Sequence, residues 1–292
     1  MIQTYADTDS SVAIEEAFRE GHGLLIPWSP PTRRRVEKAM AEVAEHLARF
    51  PVTRSFGGIN QLDADRQTLW VASTGLRQAL HMHQDDLARF DGDAEGGERG
   101  IEALQQEKSV RGALEDLKTV LDDALAIAVE AIGLRDDLPP ALIEQLTVRY
   151  RAIRYAPVDR DVAGIGLHPD GNVLSALLTD SEGLMIKEQN SLFRPPTGGS
   201  VVMPGSILYR WSNGYFKPTF HSVEIRRGEP TKFTIVAFLN FPDHTLIPRS
   251  TLRHQTGVFL NEVQRYKEDD MNRLGDLASL WSSLESLERS TA

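Results

Sequence analysis

The chain of 292 residues contains no cysteine. That removes disulfides, thiolate zinc sites and cysteine nucleophiles together, so any metal chemistry has to use histidine and carboxylate. No apolar run reaches the roughly eighteen residues needed to cross a bilayer, and the start, Met1 to Asp7, lacks the basic stretch and apolar core of a signal peptide. The expectation is a soluble, cytoplasmic protein with no membrane partner. Positive charge is outnumbered: 42 Asp and Glu against 32 Lys and Arg give a formal net charge of −10, and Arg33-Arg34-Arg35 is the only compact basic run. A phosphate backbone calls for a basic surface, so nucleic acid is not the expected partner. Internal repeats and a P-loop are missing, and Gly164-Ile-Gly166 lacks the third glycine and the following helix of a dinucleotide fingerprint.

Hydrophobic residues make up 41% of the chain, enough for a substantial core, and this length suits one large domain with helical additions. Six segments read as strands: 146–155, 173–179, 183–188, 200–203, 220–225 and 232–240. Turn clusters such as Asp180-Ser181-Glu182-Gly183 and Arg227-Gly228-Glu229-Pro230 separate them. Many short strands at this spacing imply a sandwich or jelly roll. Before them, 13–20 reads as a helix, 22–28 as a strand, and a helix starts at Pro31-Thr32 with Val36, Met40, Val43 and Leu47 on one stripe. The longest helical pattern, 110–134, carries Leu114, Leu117, Leu121 and Leu125 on one face and should buttress the sheet. The fold class is therefore α+β, mainly β. A mixed region (1–145) packs on a core (146–250), followed by C-terminal helices (251–292), as one integrated domain. The last helices can cover the core or a second copy of the chain, so a homo-oligomer is possible.

The chemistry centres on His168-Pro169-Asp170, with His221 following at 221 − 168 = 53 positions. Two imidazoles and one carboxylate can cover one face of an Fe(II) ion and leave the other open, which is the facial triad of non-heme iron oxygenases. If 168–170 is strand, His168 and Asp170 point to one side, since side chains alternate. The bland alternative is a core histidine beside a turn aspartate. It does not explain the surrounding strands or His221.

In order along the chain stand Arg151-Ala-Ile-Arg-Tyr-Ala-Pro157, Gly166-Leu-His-Pro-Asp170, Gly183-Leu-Met-Ile186 and Met203-Pro-Gly-Ser206. Ser212-Asn-Gly-Tyr215, His221-Ser-Val223 and Phe238-Leu-Asn-Phe241 follow. This series resembles the isopenicillin N synthase-like branch of the Fe(II)/2-oxoglutarate dioxygenases. The resemblance implies a double-stranded β-helix (jelly-roll) core, Fe(II) on His168, Asp170 and His221, and 2-oxoglutarate and O2 as co-substrates. In that family an Arg-x-Ser pair after the second histidine holds the distal carboxylate. Here Lys232-Phe233-Thr234 stands in its place, and lysine lacks arginine's bidentate fork. Arg154, where the family pattern often has Asn, is either a second anchor inside the barrel or a rim ion-pair partner.

The implied activity is hydroxylation or another oxidation of an unactivated C–H bond of a small metabolite in biosynthesis, with release of succinate and CO2. An Fe(II) oxidase that does not use 2-oxoglutarate and a non-catalytic jelly-roll binding protein are the alternatives. Candidate substrate contacts are Arg54, Trp70, Tyr209, Arg210, Trp211 and Phe216, and Tyr209, Arg210 and Trp211 can equally be ordinary strand residues near the Ser212-Asn213-Gly214 turn. His81-Met82-His83 also has i, i+2 metal spacing, but the segment around it reads as a helix, where such residues do not share a face.

Overall fold

The structure is a computed structural model in which residues 3–4, 10–48, 70–74, 77–83, 108–133, 146–180, 183–188, 191–212, 214–229 and 231–240 are described. The expected C-terminal helices lie outside those residues. Two sheets face each other. The major sheet has the order β1-β2-β10-β7-β12-β5-β4-β3. Its strands are β1 (Gln3–Thr4), β2 (Leu24–Pro27), β3 (Trp70–Thr74), β4 (Arg77–His83), β5 (Thr147–Tyr155), β7 (Leu174–Thr179), β10 (Gly199–Pro204) and β12 (Lys232–Asn240). The minor sheet, β6-β11-β8-β9, is built from β6 (Val162–His168), β8 (Leu184–Glu188), β9 (Ser191–Phe193) and β11 (His221–Ile225). The jelly-roll core expected from the strand spacing is therefore present, and all six expected strands begin and end within one residue of those observed.

Helices cover the outer face of the major sheet. They are α1 (Ser10–Arg19), α2 (Pro30–Ala48) and α3 (Lys108–Ala131), and a short α4 (Ser206–Trp211) follows β10. At the start of α2 the Ser29 hydroxyl accepts the Thr32 N–H at 3.3 Å, satisfying a donor that the first turn would leave bare, and prolines at the first positions cost no hydrogen bond there. Along α3 the apolar stripe of Leu114, Leu117, Leu121 and Leu125 is buried against α1, α2 and the sheet, so this helix buttresses the outer face as its periodicity predicts. Each fully buried leucine in this layer contributes about 1.5–3 kcal/mol. None of the described helices is long and apolar enough to cross a membrane.

Strand parity sorts the major sheet into two faces. Phe233, Ile235, Ala237 and Leu239 of β12, with Tyr150 and Ala152 of β5, join the helix-side core. Val236 packs between the sheets with Leu177, Leu184, Ile186, Val201 and Met203. Ile153 and Tyr155 do the same with Val223 and Ile225 at the other end of the barrel.

Three expectations need correction. The segment around His81-Met82-His83 is not helical but forms β4, paired between β3 and β5. Its local pattern is ambiguous, and the neighbouring strands decide it. Residues 209–211 belong to α4 rather than to a strand. The H-x-D tripeptide is not strand throughout, because β6 ends at His168 and Pro169 has no N–H to continue a ladder.

Candidate metal centre

His168, Asp170 and His221 converge, with one ligand atom from each lying within 4.8 Å of the others. His168 is the last residue of β6 and His221 the first of β11, and the two are paired directly across the antiparallel ladder. Their rings are 4.6 Å apart, centroid to centroid. The Nε2 atoms lie 3.7 Å from Asp170, that of His168 from Oδ1 and that of His221 from Oδ2. Each Nδ1 faces a backbone carbonyl, Gly166 O at 2.7 Å and Thr219 O at 3.2 Å. A carbonyl only accepts, so the proton sits on Nδ1 and each Nε2 keeps its lone pair for a metal. Two imidazoles and one carboxylate would fit a divalent first-row ion of Fe(II) type.

Asp170 reaches the pair from a loop, and that loop is held from below. Its backbone carbonyl accepts the Ser206 N–H at 2.8 Å, and the Asn172 carbonyl accepts the Ile207 N–H at 3.0 Å. These donors come from the first turn of α4, where backbone N–H groups have no partner inside the helix. Gly205 makes the approach possible, since a Cβ there would stand 2.2 Å from the Asn172 carbonyl oxygen. The Ser175 hydroxyl on β7 donates to Asp170 Oδ2 at 2.5 Å and in turn accepts from Asn172 Nδ2 at 2.8 Å. The Met203-Pro-Gly-Ser206 motif thus works as a bracket for the carboxylate. The Ser212-Asn-Gly-Tyr215 motif is also structural: the Ser212 hydroxyl accepts the Phe216 N–H at 3.1 Å and donates to Tyr209 O at 3.2 Å.

Lys232 and Thr234 share the inward face of β12 with Val236. The Thr234 hydroxyl lies 3.4 Å from that of Thr179 on β7. Lys232 is almost fully buried, and its Nζ stands 2.7 Å from Glu229 Oε2. Gly183 opens the space it occupies, because a Cβ there would meet Nζ at 2.9 Å.

Arg154 is not inside the barrel. It pairs across the ladder with Phe233 and shares the face of Ala152, so it lies on the helix side, 3.4 Å from the Thr231 hydroxyl. The inward arginines of β5 are Arg149 and Arg151, which pair with Phe238 and Val236. The Arg151 guanidinium is 5.4 Å from the Phe238 ring, and Phe238 is the ladder neighbour of Ser175. Sequence reasoning missed this cation. Parity counted from Ile153, rather than from the small residues Ala152 and Ala156, would have found it.

The other substrate candidates scatter. Trp211 and Phe216 are buried in the helix-side core, which excludes direct contact with a ligand between the sheets. Tyr209 is buried and packs near Gly214, and Arg210 falls on α4. Trp70 opens β3 opposite His81. Arg54 lies outside the described residues.

Two facing, mainly antiparallel sheets with a His-x-Asp…His group at one end define a jelly roll of the non-heme iron class. Residues 143–241 match the 2OG-Fe(II) oxygenase superfamily, and the chain therefore carries a 2OG-Fe(II) oxygenase domain. Enzymes of this superfamily use Fe(II), 2-oxoglutarate and O2. Similar solved structures include the dioxygenase for auxin oxidation 1 of Arabidopsis thaliana in a 2-oxoglutarate complex, at TM-score 0.66 and 14% identity, covering 84% of this chain and 94% of that one. The rice dioxygenase for auxin oxidation gives 0.64 and 16%, covering 96% of both chains. The full-length thymine-7-hydroxylase of Neurospora crassa with alpha-KG and 5-formyluracil gives 0.62 and 15%, covering 92% and 94%. No curated protein matches the chain.

Proposed function

We propose that the chain is a cytoplasmic, Fe(II)- and 2-oxoglutarate-dependent oxygenase that hydroxylates a small biosynthetic metabolite. His168, Asp170 and His221 would hold the metal, and Lys232 and Thr234 the distal carboxylate of the 2-oxo acid. The observation that carries this reading is the pair of Nε2 lone pairs turned toward the Asp170 carboxylate, with a buried lysine and a threonine on the same inner wall. With iron bound, 2-oxoglutarate and O2 supply an oxidant able to take hydrogen from an unactivated C–H bond, leaving succinate and CO2. The chain's own residues orient and exclude. Backbone carbonyls fix both imidazoles, Ser175 fixes the carboxylate, and Leu177, Ile186 and Val236 keep water from the space between the sheets.

Arg151, on the inner face of β5 with its guanidinium 5.4 Å from the Phe238 ring, would orient a carboxylate or another anionic group of the substrate. That favours an organic acid over a neutral ring. Both the N-terminal β2 and the β3–β4 hairpin are built into the major sheet, which supports reading the chain as one integrated domain. The ligands of the similar solved structures, 5-formyluracil and 2-oxoglutarate, belong to the small-molecule class proposed here.

The test is anaerobic Fe(II) titration followed by 2-oxoglutarate titration and a mass-spectrometric screen of organic acids. One Fe(II) per chain, 2-oxoglutarate binding and a gain of one oxygen are expected. Loss of two hydrogens would instead mean desaturation or ring closure. Iron binding without 2-oxoglutarate binding would overturn the co-substrate assignment.

A further inference from the structure

The cation expected to receive 2-oxoglutarate already has a carboxylate on it. Glu229, three residues before Lys232 in the turn between β11 and β12, places Oε2 2.7 Å from Lys232 Nζ, and Glu229 also accepts the Arg226 N–H at 3.0 Å. Lysine is nearly never buried unpaired, because the desolvated charge has to be compensated. Here the compensation comes from the chain. The two partners differ in freedom. The Lys232 side chain is 4% exposed and locked beside Gly183, whereas Glu229 is 29% exposed and follows the exposed residues Arg226, Arg227 and Gly228. Glu229 can therefore swing out to water at little steric cost. Lys232 cannot turn away.

Resting on the reading of Lys232 under Proposed function, we propose that Glu229 is a tethered competitor for the distal carboxylate of the 2-oxo acid, and that it sets co-substrate affinity and selectivity. Two carboxylates cannot both hold one buried ammonium at full strength. Binding of 2-oxoglutarate thus requires Glu229 to let go, and the apparent dissociation constant is raised by the fraction of time Glu229 occupies the lysine. A 2-oxo acid with an uncharged tail does not need Lys232 and is not affected by this competition. Discrimination between charged and uncharged tails is consequently narrowed in the native chain.

The test compares the full chain with Glu229→Gln, each loaded anaerobically with Fe(II), by calorimetric titration with 2-oxoglutarate and with 2-oxopentanoate. If Glu229 holds Lys232 about nine-tenths of the time, Glu229→Gln binds 2-oxoglutarate roughly tenfold more tightly, with 2-oxopentanoate unchanged. Glu229→Asp keeps the charge on a shorter arm and should fall between the two, which covers the case in which the glutamine variant folds poorly. As a second readout, 2-oxoglutarate should raise the melting temperature of Glu229→Gln more than that of the native chain. Equal or weaker 2-oxoglutarate binding by the variants, with the native chain binding normally, overturns the competitor role alone. If the native chain and the variants all bind 2-oxoglutarate no more tightly than 2-oxopentanoate, the reading of Lys232 as an anchor fails, and this inference fails with it.

Discussion

The helix side and the iron side of the major sheet are built from the same strands, one residue out of step. On the helix side β12 presents Phe233, Ile235, Ala237 and Leu239 to an apolar layer. On the other side it presents Lys232 and Thr234 before Val236 and Phe238, across from Ser175 and Arg151. Strands buried on both faces read as near-continuous apolar runs, so hydrophobicity alone does not say which face a residue joins. The division of labour follows from chemistry. The outer face supplies free energy through area removed from water, and the inner face gives up part of that stability to hold charged and polar groups in place. Changes on the outer face should therefore register as stability and changes on the inner face as ligand affinity.

The severest break is expected on the inner side. Among the described residues, Asp170 supplies the only carboxylate grouped with the two imidazoles, so Asp170→Ala should abolish Fe(II) binding and turnover. The circular dichroism spectrum and melting curve should stay close to native, because the loop is still held by Ser206 and Ile207 N–H groups. Retained Fe(II) stoichiometry would remove Asp170 from the site. On the outer side, Leu121→Ala empties a fully buried position on α3 and should cost about 2–5 kcal/mol in urea unfolding. The Fe(II) affinity of the folded fraction should not move. A fall in metal affinity comparable to the loss of stability would mean the faces are not separable.

Lys232→Met tests the inner wall at its far end. Loss of a charge-assisted contact to a buried carboxylate costs about 2–5 kcal/mol, so 2-oxoglutarate binding should weaken at least about thirtyfold while Fe(II) binding stays native. Unchanged 2-oxoglutarate affinity would transfer the role to another cation, with Arg151 first in line. Ser175→Ala is smaller. It leaves all three ligands and removes the hydrogen bond that orients Asp170 together with the one Ser175 accepts from Asn172, and such outer partners are worth about 10–100-fold in metal affinity. A native Fe(II) dissociation constant would show that the α4 bracket alone positions the carboxylate.

What the sequence made legible was whatever local chemistry controls. Turn clusters bounded the strands, leucine spacing placed α3, and the two histidines with Asp170 were readable because a metal site needs those residue types at few positions. What it hid was set by neighbours distant in sequence. β4 is a strand because β3 and β5 flank it, although Ala79 to His83 has no decisive period of its own. Trp211 and Phe216 look like pocket aromatics beside the His221 segment, yet α4 and the loop that follows it place them in the helix-side core. Glu229 carried no signal at all, since only the folded turn brings it to Lys232.

Arg154 gives the sharpest test of parity because its expected effect is the smallest. Taking small neighbours as a sign of a roomy interior puts it between the sheets, whereas the ladder puts it opposite Phe233 on the helix side. Its contact with Thr231, at 3.4 Å, is long for a hydrogen bond, and a partly exposed contact of that kind contributes about 0.5–1.5 kcal/mol at most. Arg154→Met keeps the length and apolar stem of the side chain, so it should shift the unfolding midpoint slightly and leave the 2-oxoglutarate dissociation constant within about twofold of native, since a group on the far side of the sheet is separated from the ligand by a packed layer. Calorimetric titration of Arg154→Met beside Lys232→Met would decide the matter. A large loss of 2-oxoglutarate binding in the arginine variant would place Arg154 inside the barrel and shift the register of β5 by one residue, taking Arg151 out of the site.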